Sequence, residues 1–283
     1  MKDFVAGDLE AMVMAALAED VGAGDWTTAC TVPAGARTTA RIVTKAPGVL
    51  SGSAVAALVF RRLDPTCTLE GVADGTRLAI GEVALRVTGS TRAILTGERV
   101  ALNFLQRLSG IATRTAAFVD AVAGTGVAIS DTRKTTPLLR RLEKEAVRCG
   151  GGRNHRAALD AMLLVKENHI VAAGGLAAAL GMAMREAAAR GLEVEVEVRT
   201  QDEFDAALEL RPDWILLDHW TPAAVREAVV SAGAPPRPRL EVSGNLTLER
   251  VREFALAGPD VLSIGELTHS APALDLSLLV DPS

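Results

Sequence analysis

From Val127 onward, six short apolar runs recur along the chain: VAISDTRK, MLLVKENH, LEVEVEVRT, DWILLDHW, RLEVSGN and VLSIGEL. Stretches with helical spacing lie between them, with starts expected near residues 137, 172, 201, 221 and 246. Strands alternating with helices in this way predict parallel βα units, and six of them predict an α/β barrel rather than a small open sheet. The earlier part of the chain has a different pattern. Apolar positions predict a helix over residues 7–20, and the VGAGDWTT that follows has the Gly and Asp of a helix stop and turn. TARIVTKAPGVLSG and CTLEGVADGTRLAIGEVALRVTGS read as short strands joined by hairpins, with a helix, SAVAALVFRRL, between them. A long helix is predicted from Glu98, ERVALNFLQRLSGIATRTAAFVDAVAG, leading into the βα region. The expectation is an α/β protein with a small first domain.

The polar residues fall at one edge. The apolar runs end in Arg133 and Lys134, Lys166, Glu197, Asp218, Ser243-Gly244-Asn245 and Gly265. In α/β barrels that C-terminal rim is where active sites assemble. Charge sharpens the picture. Residues 131–169 hold nine Lys/Arg against five Asp/Glu, a net +4 in a chain of net −5. A cleft of one sign focuses field lines on small ions of the other sign, so this reversal predicts an anion site. Arg133, Lys134, Arg156 and Lys166 sit at strand ends or beside the glycine run 150–152, where forked guanidinium groups and mobile ammonium groups suit carboxylates and phosphates. Arg140, Arg141, Lys144 and Arg148 read instead as a solvated helix face.

The acids divide in the same way. Glu193, Glu195 and Glu197 alternate with valines, so they share one strand face, with Glu197 nearest the rim. Glu195 is expected to be a buried ion-pair partner of a basic residue such as Lys166. Glu197 and Asp218, on neighbouring strand ends, suit Mg²⁺ held through water and substrate phosphates, or ribose hydroxyls. Ser243 and Gly244 precede a predicted helix, whose N-terminus would bind phosphate; Asn245 serves equally well as its N-cap. His155 reads as an orienting or hydrogen-bonding group, and His169, His219 and His269 as structural. No metal-ligand spacing of the HExxH kind is present.

Composition narrows the class. Hydrophobic residues are 49% and aromatics 3%, with no Tyr, so the core is built of Ala, Val and Leu, as helices on parallel strands require. The pI near 5.5 and scarce aromatics argue against nucleic acid as a partner. Three widely spaced cysteines without a CxxC pair read as reduced thiols, Cys149 included as an inert one. With no membrane span and no signal-like start, a soluble cytoplasmic protein is expected.

Taken together, ALAEDVGAGDWTT, ERVALNFLQRLSGIATRT, DTRKTTP, AVRCGGGRNHR, LLVKENH, EVEV, ILLD, EVSGN and GELTHS resemble the decarboxylating quinolinate phosphoribosyltransferases along nearly the whole chain. The resemblance implies an N-terminal α/β sandwich domain, residues 1–105 with the tail 271–283 packed on it, and an incomplete TIM-like α/β barrel over 106–270. It implies phosphoribosyl transfer from 5-phosphoribosyl 1-pyrophosphate to quinolinate with Mg²⁺, giving nicotinate mononucleotide, pyrophosphate and CO₂ on the way to NAD. It also implies a homodimer with shared sites. Arg133, His155 and Arg156 look like the family's quinolinate-carboxylate binders, and Arg99 like the arginine lent by the neighbouring subunit. Lys134 and Lys166 match the lysines at pyrophosphate and substrate. Glu197 and Asp218 match the acids at ribose and metal, and Ser243, Gly244 and Gly265 the phosphate loops.

Three positions depart from the family pattern: Leu138 stands where Gly follows KTTP, His219 where Asn follows ILLD, and Glu266 where the late phosphate loop has a small residue. Competing readings are the related pyrophosphorylase-like protein of molybdenum transport, a Schiff-base aldolase using Lys166, and a non-catalytic phosphoribosyl-ligand sensor. NHR after the glycines and KENH favour the quinolinate enzyme.

Overall fold

The computed structural model describes residues 6–281. It divides into two compact units: one runs to Arg114 and takes in Leu142–Gly151 and the stretch from Ala271, and the other comprises Thr115–Arg141 and Gly152–Ser270. Residues 106–114 and Leu142–Gly151 therefore group with the first unit, where the sequence reading assigns them to the second. No loop marks the breaks after Arg114 and Arg141, because each falls inside a helix. Among the described residues no helix is long and apolar enough to cross a membrane.

The first unit begins with α1 (Ala6–Val21) and α2 (Trp26–Thr31), then β1 (Arg37–Thr44), β2 (Gly48–Val49), α3 (Ser53–Leu63), β3 (Thr68–Gly71), β4 (Arg77–Leu78), β5 (Val83–Ser90) and the start of α4 (Thr91–Ala121). The C-terminal strand Leu276–Val280 joins its sheet at the edge of β1, antiparallel, and β1, β5 and β3 follow in that order. Along β1 one face is buried, at Ala40, Ile42 and Thr44. Helix α3 contributes Val55, Ala56, Val59 and Phe60 to the core. Two expectations fail here. The Asp of GDWTT opens a helix rather than only ending one, because the Asp25 carboxylate accepts the Thr28 N–H at 2.9 Å and caps α2. Helix α4 starts seven residues before Glu98, since Ser90 caps it and Arg92 donates to the carbonyls of Ala29 and Val32.

The chain continues as β6 (Ala128–Ser130), α5 (Arg140–Cys149), most of which groups with the first unit, and then the second unit's β7 (Leu163–Val165), α6 (Glu167–Ala172), α7 (Leu176–Arg190), β8 (Val194–Val198), α8 (Gln201–Leu210), β9 (Trp214–Asp218), α9 (Pro222–Ala232), β10 (Arg239–Ser243), α10 (Val251–Ala255), β11 (Val261–Ser263) and α11 (Glu266–His269); β12 is the C-terminal strand Leu276–Val280. All six expected strands form one parallel sheet in the order β6-β11-β10-β9-β8-β7. Among the described residues β6 and β7 do not pair, so the barrel is incomplete. In the seam, Arg153 donates its N–H to Ile129 O at 2.7 Å and accepts from Asp131 N at 3.1 Å, so one residue of the chain extends β6. The outward valines of β8, Val194, Val196 and Val198, are fully buried. Thr200 and Thr221 cap α8 and α9, which fixes the chain as it leaves the rim after β8 and β9.

Candidate active site

Alternate residues of a strand share a face, so β8 and β10 carry three polar layers through the barrel. At the strand starts, Arg239 pairs with Glu193 and stacks 3.8 Å from the Trp214 ring centroid. In the middle, Glu195 and Glu241 face the His155 ring. At the C-terminal rim lie Glu197, Asp218 and Ser243. A cavity of about 330 Å³ lies towards the strand starts, bounded by Ser130, Arg153, Trp214 and Arg239 and reaching up to His155 and Glu241. The barrel interior is thus polar and partly open rather than filled with aliphatic side chains.

The rim gathers most of the predicted residues into two chains of contacts. Lys166 Nζ donates to Glu197 Oε2 at 2.6 Å. Arg199, which the sequence reading passed over, contacts Glu167, donates to Asp218 Oδ2 at 3.1 Å and lies 3.8 Å from Glu197 Oε1. His219 Nδ1 is 2.9 Å from the same Asp218 oxygen. The His219 ring also lies against Gly244, whose φ is +94° and whose added Cβ would come within 2.8 Å of that ring, so any side chain at position 244 is strained and displaces the ring. On the far side Lys134 packs over Gly265: an added Cβ there would meet Lys134 Cδ at 3.0 Å and His269 Nε2 at 3.1 Å. Thr268 Oγ1 donates to Lys134 O at 2.7 Å and ties the two loops. A residue such as Arg199 shows in sequence only as a basic residue after a strand, in an otherwise acidic neighbourhood.

Arg133 and Arg156 lie close enough for their charges to interact. Burial, and after it the Arg133 charge, pulls the Arg156 guanidinium below its ordinary range, while Glu195 opposes the shift. Arg133 Nε is buried without a hydrogen-bond partner, and Arg156 donates only Nη1, to Met162 O at 3.0 Å. Neither forms an ion pair among the described residues. Two partly buried guanidinium groups side by side, with no carboxylate in ion-pair contact, favour an anion beside them. Arg99 is exposed on α4 in the first unit.

Several expectations need correction. The buried partner of Glu195 is His155, at 3.0 Å, whereas Lys166 takes Glu197. The His155 ring acts as a hydrogen-bonding, orienting group: Nδ1 accepts the Arg156 N–H at 2.7 Å, and Nε2 faces the two buried acids. Arg140 is no solvated residue, since it donates to Thr135 Oγ1, Ala157 O and Arg133 O and straps together the loops on either side of the seam; Lys144 is buried as well. Asn245 caps no helix and Ser243-Gly244 sit at no helix N-terminus, because α10 begins only at Val251. Asn245 instead takes φ +55° in the turn after β10, a conformation its side chain tolerates. Burial raises the Cys149 thiol, which keeps it protonated and unreactive.

Two measurable consequences arise here. Leu138, in place of the family's glycine, holds φ +67° with 86% of its surface exposed. The left-handed conformation costs an L-residue roughly 1–2 kcal/mol, and glycine's looser unfolded chain returns about 0.4–1 kcal/mol of that. Leu138→Gly should therefore raise stability by about 0.5–1 kcal/mol, and an unchanged or lower denaturation midpoint would refute the strain. Glu241 is pushed up to about 8 from 4.5 by burial first and the Glu195 charge second, with the Lys166 charge acting in the opposite sense. Below pH 4.5 the acid is neutral folded or unfolded; between 4.5 and 8 only the unfolded chain releases its proton, so folding weakens as pH rises through that window. Glu241→Gln, neutral throughout, should gain stability relative to the parent chain between pH 5 and pH 8. A difference in thermal midpoint that does not change with pH would contradict this.

The fold and rim define an open α/β barrel with charged side chains gathered at its mouth. Comparison with known proteins carries this further. The family described as quinolinate phosphoribosyl transferase matches by its C-terminal domain over residues 111–279 and by its N-terminal domain over residues 25–109. A nicotinate-nucleotide pyrophosphorylase (carboxylating) of Mycobacterium leprae is 46% identical over 271 residues, covering 93% of this chain and 94% of that protein. The solved nicotinate-nucleotide pyrophosphorylase of Francisella tularensis superposes with a TM-score of 0.93 at 36% identity, over 99% of this chain and 98% of that one. The NadC structure from Streptococcus pyogenes gives 0.91 at 38% identity over the whole of both chains. This chain belongs to the quinolinate phosphoribosyltransferase family.

Proposed function

We propose that the chain transfers the phosphoribosyl group of 5-phosphoribosyl 1-pyrophosphate to quinolinate with loss of CO₂, giving nicotinate mononucleotide and pyrophosphate for NAD synthesis in the cytoplasm. "Carboxylating" in the relatives' names describes the same equilibrium written from the nucleotide side. The observation that carries the reading is the Arg133–Arg156 pair, without counter-ions, on the same barrel as the Lys166–Glu197 and Asp218 rim.

The chemistry follows from these groups. Arg133 and Arg156 hold the pyridine dicarboxylate by charge-assisted hydrogen bonds. The ring nitrogen forms a bond to ribose C1 as the C1–O bond to pyrophosphate breaks and its electron pair leaves with the pyrophosphate. Lys134 and Lys166 offset the charge gathering on the leaving group, and Ser243, Gly244 and Gly265 line the loops that take the phosphate. Glu197 and Asp218 orient the ribose hydroxyls and face the positive charge that develops on the sugar. The ribosylated pyridinium then accepts the electron pair of the C2–carboxylate bond as CO₂ departs, and C2 takes a proton from water.

Two carboxylates on neighbouring strand ends are hard oxygen donors, and Arg199 already places a positive group within reach of both, so these residues fit Mg²⁺. Glu197 and Asp218 would hold it through water, and when bound it neutralises the pyrophosphate. A homodimer in which exposed Arg99 completes the neighbour's site accords with the family resemblance. The decisive test mixes the protein with quinolinate, phosphoribosyl pyrophosphate and Mg²⁺. Nicotinate mononucleotide and CO₂ are expected in equal amounts; no product, or equal turnover of nicotinic acid, would end the assignment.

A further inference from the structure

The seam between β6 and β7 is bridged by Arg153–Arg156, a segment with strand-like bonds only at its first residue. Beyond that, the fully buried Asp131 holds it from one side: Oδ1 accepts His155 N at 2.9 Å and Oδ2 accepts Asn154 Nδ2 at 2.7 Å. From the barrel interior it is anchored by the His155 ring, which reaches Glu195 on β8 and Glu241 on β10. Both acids are almost wholly buried, and Glu195 Oε1 has no hydrogen-bond partner. Burial of two carboxylates in one layer costs several kcal/mol unless a positive group or a proton joins them.

The three side chains present ligand atoms within 4.8 Å of one another, the donor set of a metal site. The tautomer argues otherwise. Nδ1 accepts the Arg156 N–H at 2.7 Å, so it carries no hydrogen, and the ring hydrogen sits on Nε2. Coordination through Nε2 would need that nitrogen's lone pair, which would move the hydrogen to Nδ1 and set it against the Arg156 amide. The ring is therefore a donor towards the acids, at 3.0 Å to Glu195 and 3.5 Å to Glu241. Two buried carboxylates facing one neutral ring share a proton between them.

We propose that Glu195 and Glu241 are positioning residues for the pyridine substrate: by holding the Nε2–H of His155 they fix the seam segment and with it the guanidinium of Arg156. They touch no substrate. Lys134, Lys166 and Glu197, which face the phosphoribosyl substrate in the reading above, lie outside the Arg153–Arg156 segment that the ring anchors. Displacing a binding group by about 1 Å is enough to cost on the order of 100-fold, so loss of the anchor falls on quinolinate. The inference rests on the proposed quinolinate activity.

The test has two arms. In ¹⁵N-histidine NMR of the wild-type protein without substrates, His155 is expected as the neutral Nε2–H tautomer, and unchanged by added Zn²⁺; an Nδ1–H tautomer, or a Zn²⁺-induced shift of that resonance, would overturn the proposal. In steady-state kinetics Glu195→Ala should raise the quinolinate KM by about 10- to 100-fold and move the phosphoribosyl pyrophosphate KM and kcat far less. Glu195→Gln, whose amide oxygen still accepts the Nε2–H, should restore most of the loss. Equal losses for both substrates, or a Gln variant no better than Ala, would reduce Glu195 to general structural support. If Glu195→Ala does not fold, the Gln variant and the tautomer still decide. A wild-type protein inactive on quinolinate would remove the function while leaving the tautomer result to stand or fall alone.

Discussion

Lys166→Ala is expected to lower kcat/KM by about 10²–10³ while leaving the protein folded. Lys166 Nζ is bonded to Glu197 at 2.6 Å, but its own side chain is 46% exposed. An exposed ion pair contributes only about 0–1 kcal/mol to stability, and Arg199, 3.8 Å from the other Glu197 oxygen, remains to offset the carboxylate. The thermal midpoint should therefore drop little. Activity is another matter, because a preorganised cation aimed at developing negative charge acts in the transition state rather than in the fold. The same bond bears on the aldolase reading. A Schiff-base lysine needs a free nitrogen lone pair, whereas Lys166 donates to Glu197, so borohydride should trap no carbonyl substrate. A Lys166→Ala protein with wild-type kcat/KM, or one that loses activity only by unfolding, would remove the residue from the chemistry.

The strands and the rim were legible because both signals are local. Each apolar run is bounded by its own polar residues, and parallel strands must all present their C-terminal ends on one side. The middle layer was not legible. Glu241 sits in RLEVSGN as an ordinary polar alternate, His155 lies 86 residues before it, and only barrel closure brings them to 3.5 Å. Misassignment of the Glu195 partner has the same origin: Lys166 and His155 both precede β8, and strand stagger decides that Lys166 meets Glu197 one layer higher. Arg140 was read as solvated from helical spacing alone, yet it is the first residue of α5, where a side chain can turn back onto the preceding loops. The departure at position 219 has a physical consequence that spacing could not supply. His219 holds φ +64°, a conformation Asn adopts readily, and it uses its ring to contact Asp218 and cover Gly244.

Arg133→Met should weaken quinolinate binding and stabilise the unliganded protein at once. Charge-assisted hydrogen bonds contribute about 1.5–3 kcal/mol each, so losing one guanidinium–carboxylate contact should raise the quinolinate KM by about 10- to 150-fold. The phosphoribosyl substrate, held by the lysines and the strand-end loops, should be affected much less. Stability moves the other way for an electrostatic reason. Without ligand, Arg133 adds to the burial that pulls Arg156 down, and its own Nε lies buried and unbonded. Met keeps an aliphatic stem in the half-buried slot and removes both penalties, so the thermal midpoint should rise, as is common where a site holds like charges ready for a ligand. Adding quinolinate should then narrow the gap between the two proteins, because only the parent gains stability by binding it tightly. Equal loss of affinity for both substrates, or a lower midpoint for Arg133→Met, would mean that the guanidinium pair is architectural and the dicarboxylate is held elsewhere.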